Sequence, residues 1–411
     1  MYNNGMSEAP SLSDDQEQSP TKTSGNPPKD PEGLLRYILS RAVALNTSSI
    51  HFEPTESELR VRFRVMGALF EQEAVPANQR MELERLIRRV SHMDEDDLIH
   101  PQEGPFRYQV EDGSHVTGHV SVLPTIHGPK QVLTISHGDG VMSLGQIGMS
   151  PKQADLVRKM IEEEGSLLLV AGPWASGKSA TLYAIAADCA NEAMSVATLE
   201  DPVEIMLPGI TQTQVSPRDG LTFATGMRAI LRQDPNIIAL GELTDAVEAT
   251  IAMEACLQGA HRVISCLHTR NGVESILWLL KAGLDPVKLS ESLSGIIVQR
   301  LVRKVCKDCA KPAKLRPKTI EAIGFPIDAD GGWLQGQGCA SCNGSGYNGK
   351  TAIFEIIPIS ESLKEVIKQN PSELLLKKAL RAQKVRTLRR AGLIRAKAGI
   401  TSVAEVLRVT S

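Results

Sequence analysis

The chain has no apolar run near the roughly 18 residues that a bilayer-spanning helix needs. Its longest apolar stretches, such as residues 167–171, have the length of a core strand. No basic segment leads into an apolar one at the start, so no export signal is visible. An excess of charge of one sign is missing too. Lys and Arg total 45 against 48 Asp and Glu, a formal net charge of -3. A protein that grips nucleic acid is ordinarily more basic or carries a dense basic face, so no nucleic-acid partner is expected. The seven cysteines are an odd number, and four of them form two Cys-x-x-Cys pairs, which argues against a disulfide framework and for a reducing compartment. No internal repeat is present. What remains is a cytoplasmic globular protein of 411 residues in two or three domains.

Residues 1–30 are rich in Ser, Pro, Asn, Asp and Gln, with almost no large apolar side chains. They cannot bury enough surface to offset chain entropy, and disorder is expected. From Gly33, apolar residues Leu34, Leu35, Ile38, Ala42 and Val43 fall at helical spacing. The run Leu59 to Val65 alternates apolar residues with Arg60, Arg62 and Arg64, which predicts a strand with one apolar and one basic face. A helix near residues 81–90 and strands near 106–110, 116–122 and 131–135 complete a small α/β domain over 31–138. The Gly-rich stretch 139–150 reads as a linker. From 151 to 411, strand and helix patterns alternate, which predicts a mainly parallel sheet with helices on both faces.

Within that second domain stands Gly172-Pro173-Trp174-Ala175-Ser176-Gly177-Lys178-Ser179, followed by Ala180. It matches the phosphate-binding pattern G-x-x-x-x-G-K-[ST], with an apolar strand before it and a helix after it. The glycines let backbone N–H groups curl around phosphates, and the helix N-terminus adds a favourable field. Lys178 would reach the β- and γ-phosphates of ATP, and Ser179 would ligate Mg²⁺. An apolar strand running into Glu242 follows about sixty residues later. Ligands of such sheets sit at the carboxyl ends of strands, so Glu242 would face the γ-phosphate, where a carboxylate orients water or acts as base. Glu200 and Glu204 end another strand in the same way.

Cys306-x-x-Cys309 and Cys339-x-x-Cys342 each wrap one side of a metal, and four thiolates suit tetrahedral Zn²⁺. With no position left for water, such a zinc would be structural. It defines a subdomain over 300–355, followed by C-terminal helices over 360–411. Cys189, Cys256 and Cys266 read as core. Between Lys377 and Lys397 there are nine Lys or Arg and no acid. Anionic lipid or an acidic partner would suit that segment, but a helix pair packed on the core with a solvated basic face is favoured.

Several segments, in order, resemble the ATPases of type II secretion and type IV pilus systems over about residues 45–411. They are "SSIHFEPTESELRVRFRVMGAL", "TLEDPVE", "GLTFATGMRAILRQDPNIIALGE", "GAHRVISCLHT" and "GITSVAEVLRVT". The resemblance implies a RecA-like ATPase core with a small PAS-like N-terminal domain. It implies a hexameric ring that powers secretion or pilus assembly from the cytoplasmic side of the inner membrane, docked there through a platform protein. On matching positions, Lys178, Glu242 and His268 serve catalysis, His268 sensing the γ-phosphate. Glu200 and Glu204 place Mg²⁺ or water. Arg64, Arg228 and Arg232, with Arg80 as a fourth, stabilise phosphate charge. The Cys quartet marks the assembly branches of this family rather than the retraction motors.

Departures from the family pattern occur at Ser49, Met66, Pro105, Trp174, Ala175, Thr244 and Ala260, and none removes a core catalytic group. They motivate a non-hydrolysing scaffold as an alternative reading, and a conjugation-type motor of the same fold is another. The family's assembly members carry a further N-terminal docking domain, for which the segment before residue 45 is too short.

Overall fold

The computed structural model describes residues 28–65, 68–110, 113, 115–136, 141–259, 261–329 and 331–410. Residues 1–27, most of the segment expected to be disordered, lie outside these, as do Met66, Ala260 and the first two residues of the expected linker.

The N-terminal unit opens with α1 (Pro31–Ala44), whose first turn is closed by the Asp30 carboxylate accepting the Gly33 N–H. There follow β1 (Ser49–Pro54), β2 (Glu58–Val65), β3 (Ala68–Glu71), β4 (Val75–Pro76), α2 (Ala77–Val90), β5 (Gln102–Gln109), β6 (His115–Thr125) and β7 (Gly128–Ser136). The sheet is antiparallel, in the order β3-β2-β1-β7-β6-β5, with β4 on the end of β2. Period-two alternation decides which face is covered. Leu59, Val61, Phe63 and Val65 are buried in one core with the apolar stripes of α1 and α2. The opposite face of β2 carries Arg60, Arg62 and Arg64. This face is more than a solvated surface: Arg62 and Lys130 both bond Glu53, at 2.7 and 2.8 Å. Burial opposes charge on Glu53, but these two donors hold its carboxyl down at about 2.

The larger unit contains α3 (Pro151–Glu162), β8 (Leu167–Ala171), α4 (Lys178–Cys189), β9 (Val196–Glu200), β10 (Thr211–Gln214), α5 (Phe223–Leu231), β11 (Ile237–Leu240), α6 (Ala246–Gly259) and β12 (Arg262–Leu267). It continues with α7 (Gly272–Lys281), α8 (Pro286–Ser292), β13 (Leu293–Val305), β14 (Ala310–Pro312), α9 (Pro317–Ile323), β15 (Leu334–Gly336) and β16 (Tyr347–Pro358). Four helices close the chain: α10 (Glu361–Lys368), α11 (Glu373–Ala382), α12 (Leu388–Lys397) and α13 (Val403–Thr410).

Its main sheet runs β10-β9-β11-β12-β8-β13-β16, parallel except for β16, which pairs antiparallel with β13. All five residues of β8 are buried, as a strand covered on both faces requires. Two apolar cores flank the sheet, one on each face.

Two expectations need adjusting. The stretch before α3 is no free linker: Leu144, Ile147 and Met149 are buried in the core that holds α3 and α4, and Ile147 O accepts the Ala352 N–H at 3.2 Å. Three large apolar side chains outweigh the glycines between them. The cysteine segment is also narrower than 300–355, because β13 runs to Val305 and β16 begins at Tyr347. It is an insertion in a long hairpin of the main sheet.

Candidate active site

The phosphate loop joins the C-terminal end of β8 to the N-terminus of α4. Gly177, the N-cap of α4, has φ 84° and ψ 26°, a left-handed conformation natural to glycine. Ala175 shares that region at φ 58° without the benefit of lacking a Cβ. Gly172 cannot carry a side chain: a Cβ there would come within 2.4 Å of Ser176 Oγ and 2.9 Å of Gln299 O. The loop is held from β13, whose buried Gln299 donates through Nε2 to Ser176 O at 2.7 Å. Ser176 Oγ and Thr181 Oγ1, both buried, lack a hydrogen-bond partner. Unsatisfied buried hydroxyls at this place fit a polar ligand.

Lys178 is buried at the mouth of this loop. Its ammonium donates to His268 Nδ1 at 3.0 Å and lies 3.4 Å from Pro173 O. His268 follows the end of β12, the strand beside β8. Its Nε2 comes 2.5 Å from Glu242 Oε1, at an angle that leaves the ring nitrogen without an aligned hydrogen bond. Glu242 follows β11, so the three side chains come from the carboxyl ends of three neighbouring parallel strands. Burial, and then the positive charge of Lys178, lower the pKa of His268. Burial also lowers that of Lys178. A neutral imidazole is what lets Nδ1 accept from the ammonium. The Trp174 indole, 81% exposed, stacks on His268 with centroids 4.1 Å apart.

The two acids of the next strand differ in role. Glu200 ends β9 and is buried, and its carboxylate is consumed internally by Tyr183 OH, Thr198 Oγ1 and Gln212 Nε2. Glu204 accepts Ser179 Oγ–H at 2.8 Å. The residue is exposed as a whole, but its carboxylate reaches inward. Burial of that carboxylate and the Glu200 charge raise its pKa, against the bond from Ser179. Ser179 Oγ and the Glu204 carboxylate form an oxygen pair suited to Mg²⁺. Beside the loop a cleft of about 490 Å³ opens between Pro173–Ser176 and four cations, Arg300, Arg303, Lys350 and Arg408.

The four cysteines of the insertion are reduced, with sulfurs all within 4.8 Å of one another. The distances are 3.8 Å for Cys306–Cys339 and Cys309–Cys342, and 3.7 Å for Cys339–Cys342. Zn–S bonds of about 2.3 Å in a tetrahedron require sulfurs about 3.8 Å apart. The N–H groups of Cys339 and Gly346 donate to Cys342 Sγ. Burial resists charge on that thiol, but these donors bring it down to about 6. The donor set therefore fits a closed zinc site.

The model of the type II/IV secretion system protein family matches residues 29–408. The chain belongs to that family. It is 36% identical over 381 residues to the type II secretion system ATPase E of Vibrio cholerae, spanning 92% of this chain and 75% of that one. It is 35% identical over 380 residues to the type IV pilus assembly ATPase PilB of Thermus thermophilus, spanning 92% of this chain but 42% of that one. Among solved structures, the Legionella pneumophila ATPase DotB superposes with a TM-score of 0.67 at 17% identity, covering 95% and 97% of the two chains. The pilus retraction motor PilT with bound ADP gives 0.64 at 19%, covering 91% and 96%. These two show a shared fold.

The arginines matched to the secretion family do not all converge. Arg228 and Arg232, at the end of α5, are exposed. Arg64 lies on β2, opposite Ser49 and within range of His51, whose pKa burial and then the Arg64 charge lower. Arg80 is bound inside the N-terminal unit, to Glu84 at 2.9 Å, Thr55 O at 3.0 Å and His127 O. Sequence reasoning did not pick out Tyr183, Gln299 or the four cations of the cleft. Tyr183, one helical turn after Ser179, was findable by spacing. The others come from β13, β16 and α13, which no local pattern ties to the loop.

Proposed function

We propose that this chain hydrolyses ATP and converts the cycle into motion for a secretion or pilus-assembly machine. The observation that carries the reading is the contact chain Lys178–His268–Glu242, set at the ends of β8, β12 and β11 beside a phosphate loop with unsatisfied hydroxyls. Lys178 exchanges His268 for a phosphate oxygen. His268 is thereby freed to report the γ-phosphate, and Glu242 orients the attacking water. Ser179 and Glu204 hold Mg²⁺, which when bound neutralises phosphate charge and fixes its orientation. Glu200 keeps Tyr183 and the strand end in place. Arg64, Arg228 and Arg232 supply charge to the phosphates as the small unit closes or a second copy docks. Arg80 fixes the small unit's own geometry.

Copies of the chain would form a ring, hexameric by resemblance, that pushes on a membrane-embedded platform protein from the cytoplasmic side. Among the described residues no helix is long and apolar enough to cross a membrane. The family membership and the named relatives support this reading. Steady-state hydrolysis of ATP by the purified chain tests it. Lys178→Ala and Glu242→Gln should each cut turnover by about a hundredfold or more. Turnover that survives both changes would assign the activity to something else.

A further inference from the structure

Away from the phosphate loop, a groove of about 500 Å³ lies between the cysteine insertion and α12. Its floor is aromatic and aliphatic: Phe325, Trp333 and Ile394 line it. Trp333 is only 5% exposed, with its Nε1–H spent on Asp328 O at 2.8 Å, whereas Ile394 is 49% exposed. Its rim is cationic. The Arg390 guanidinium sits 5.1 Å from the Phe325 ring centre, and the Lys397 ammonium 5.7 Å from that of Trp333. Arg386 completes the rim.

The other basic residues of α12 are spent on the fold. Arg389 bonds Ala322 O and the Thr410 hydroxyl and carbonyl, and Arg395 bonds Gly148 O. Among the described residues no carboxylate lies within ion-pair distance of Arg386, Arg390 or Lys397. The cations that the fold needs are thus paired inward, and the unpaired ones ring an open apolar concavity.

We infer that this groove docks an acidic segment of a partner protein, with one large apolar side chain seated over Trp333 and flanking carboxylates on Arg386, Arg390 and Lys397. Charge complementarity selects the acid, and the apolar floor selects the anchor. The burial of Trp333 favours a peptide over a bilayer: a flat headgroup surface reaches the exposed rim cations but not an indole that is 5% exposed. Cation–π contacts hold the rim side chains over the rings, so less side-chain entropy is lost on binding.

The test is a selection of short random peptides displayed on phage against the full chain, with the enriched peptides then assayed on the Arg390→Glu/Lys397→Glu double variant. The changed residues are solvent-facing and outside the phosphate-loop site, so ATP turnover should be unchanged, and loss of the two cation–π contacts should lower the melting temperature by no more than a few degrees. Enriched peptides should combine Asp or Glu with a Leu, Ile, Phe or Trp anchor. A labelled enriched peptide should bind the wild type more weakly as salt rises. It should lose about tenfold or more in affinity on the double variant, and also on Ile394→Ser, which leaves the charges alone. No enrichment, or enriched peptides that are neutral or basic, would overturn the inference. So would phosphatidylglycerol vesicles that bind wild type but not the double variant while enriched peptides ignore the charge reversal, since that pattern assigns the patch to membrane.

Discussion

Glu405 links the C-terminal helix to the wall of the cleft beside the phosphate loop, and replacing it should cost both stability and cleft geometry. Its carboxylate is fully buried. It takes the Arg303 backbone N–H at 3.0 Å, Arg303 Nη2 at 2.8 Å, and Arg408 Nε and Nη2 at 2.8 and 2.7 Å. Burial raises its cost of ionisation, yet these donors bring its pKa from 4.5 to about 2. That interval corresponds to about 3 kcal/mol. The Arg408 side chain is 57% exposed, so solvent screens part of it, and about 2 kcal/mol is the better figure.

Because the folded pKa is depressed, this contribution is present above pH 4.5 and drains away as pH falls through about 2. Glu405→Gln keeps the shape and removes the charge, leaving two guanidinium groups beside a neutral amide. Urea unfolding at pH 7 should show a loss of about 2 kcal/mol that is absent near pH 2. A loss below about 0.5 kcal/mol at neutral pH, or an equal loss at both, would refute the reasoning.

Three further outcomes follow from the site. ATP turnover should hold through neutrality and fall on the acid side of 6.5, where protonated His268 pairs with Glu242 and takes up the carboxylate that orients the water; His268→Gln should remove that limb, and an unchanged limb would clear His268 of the role. Adding Mg-ATP should change tryptophan emission through Trp174 on His268, a stack worth about 1 kcal/mol. A change that persists in full in Trp174→Phe would place the signal at Trp278 or Trp333. The purified chain should carry about one zinc per molecule. Cys339→Ser should release it and lower the melting temperature by roughly 5 °C or more, whereas metal analysis showing none in the wild type would discard the zinc site.

The elements that position the chemistry were legible where one local rule dominated. Residues 167–171 are an unbroken apolar run before a glycine loop, and such a run has few fates other than a buried strand. The alternation at Leu59–Val65 names the face of a sheet, and paired Cys-x-x-Cys spacings name a tetrahedral centre. Legibility ended where partners are remote in sequence. β13 carries Arg300, Arg303 and Lys304 in its second half, which masks its place beside β8. Glu200 and Glu204 look alike in the sequence, yet one is satisfied by Tyr183, Thr198 and Gln212 and the other by Ser179. The residues before α3 read as a linker by their glycines, while Leu144, Ile147 and Met149 decide their placement by burial.

The most direct test of the central claim is ATP hydrolysis measured across protein concentration, with assembly state followed by light scattering on the same samples and Glu242→Gln as control. The account predicts turnover per chain that rises as rings form, and its loss in the variant although rings still assemble. Assembled wild-type protein that binds ATP and never turns it over would contradict it.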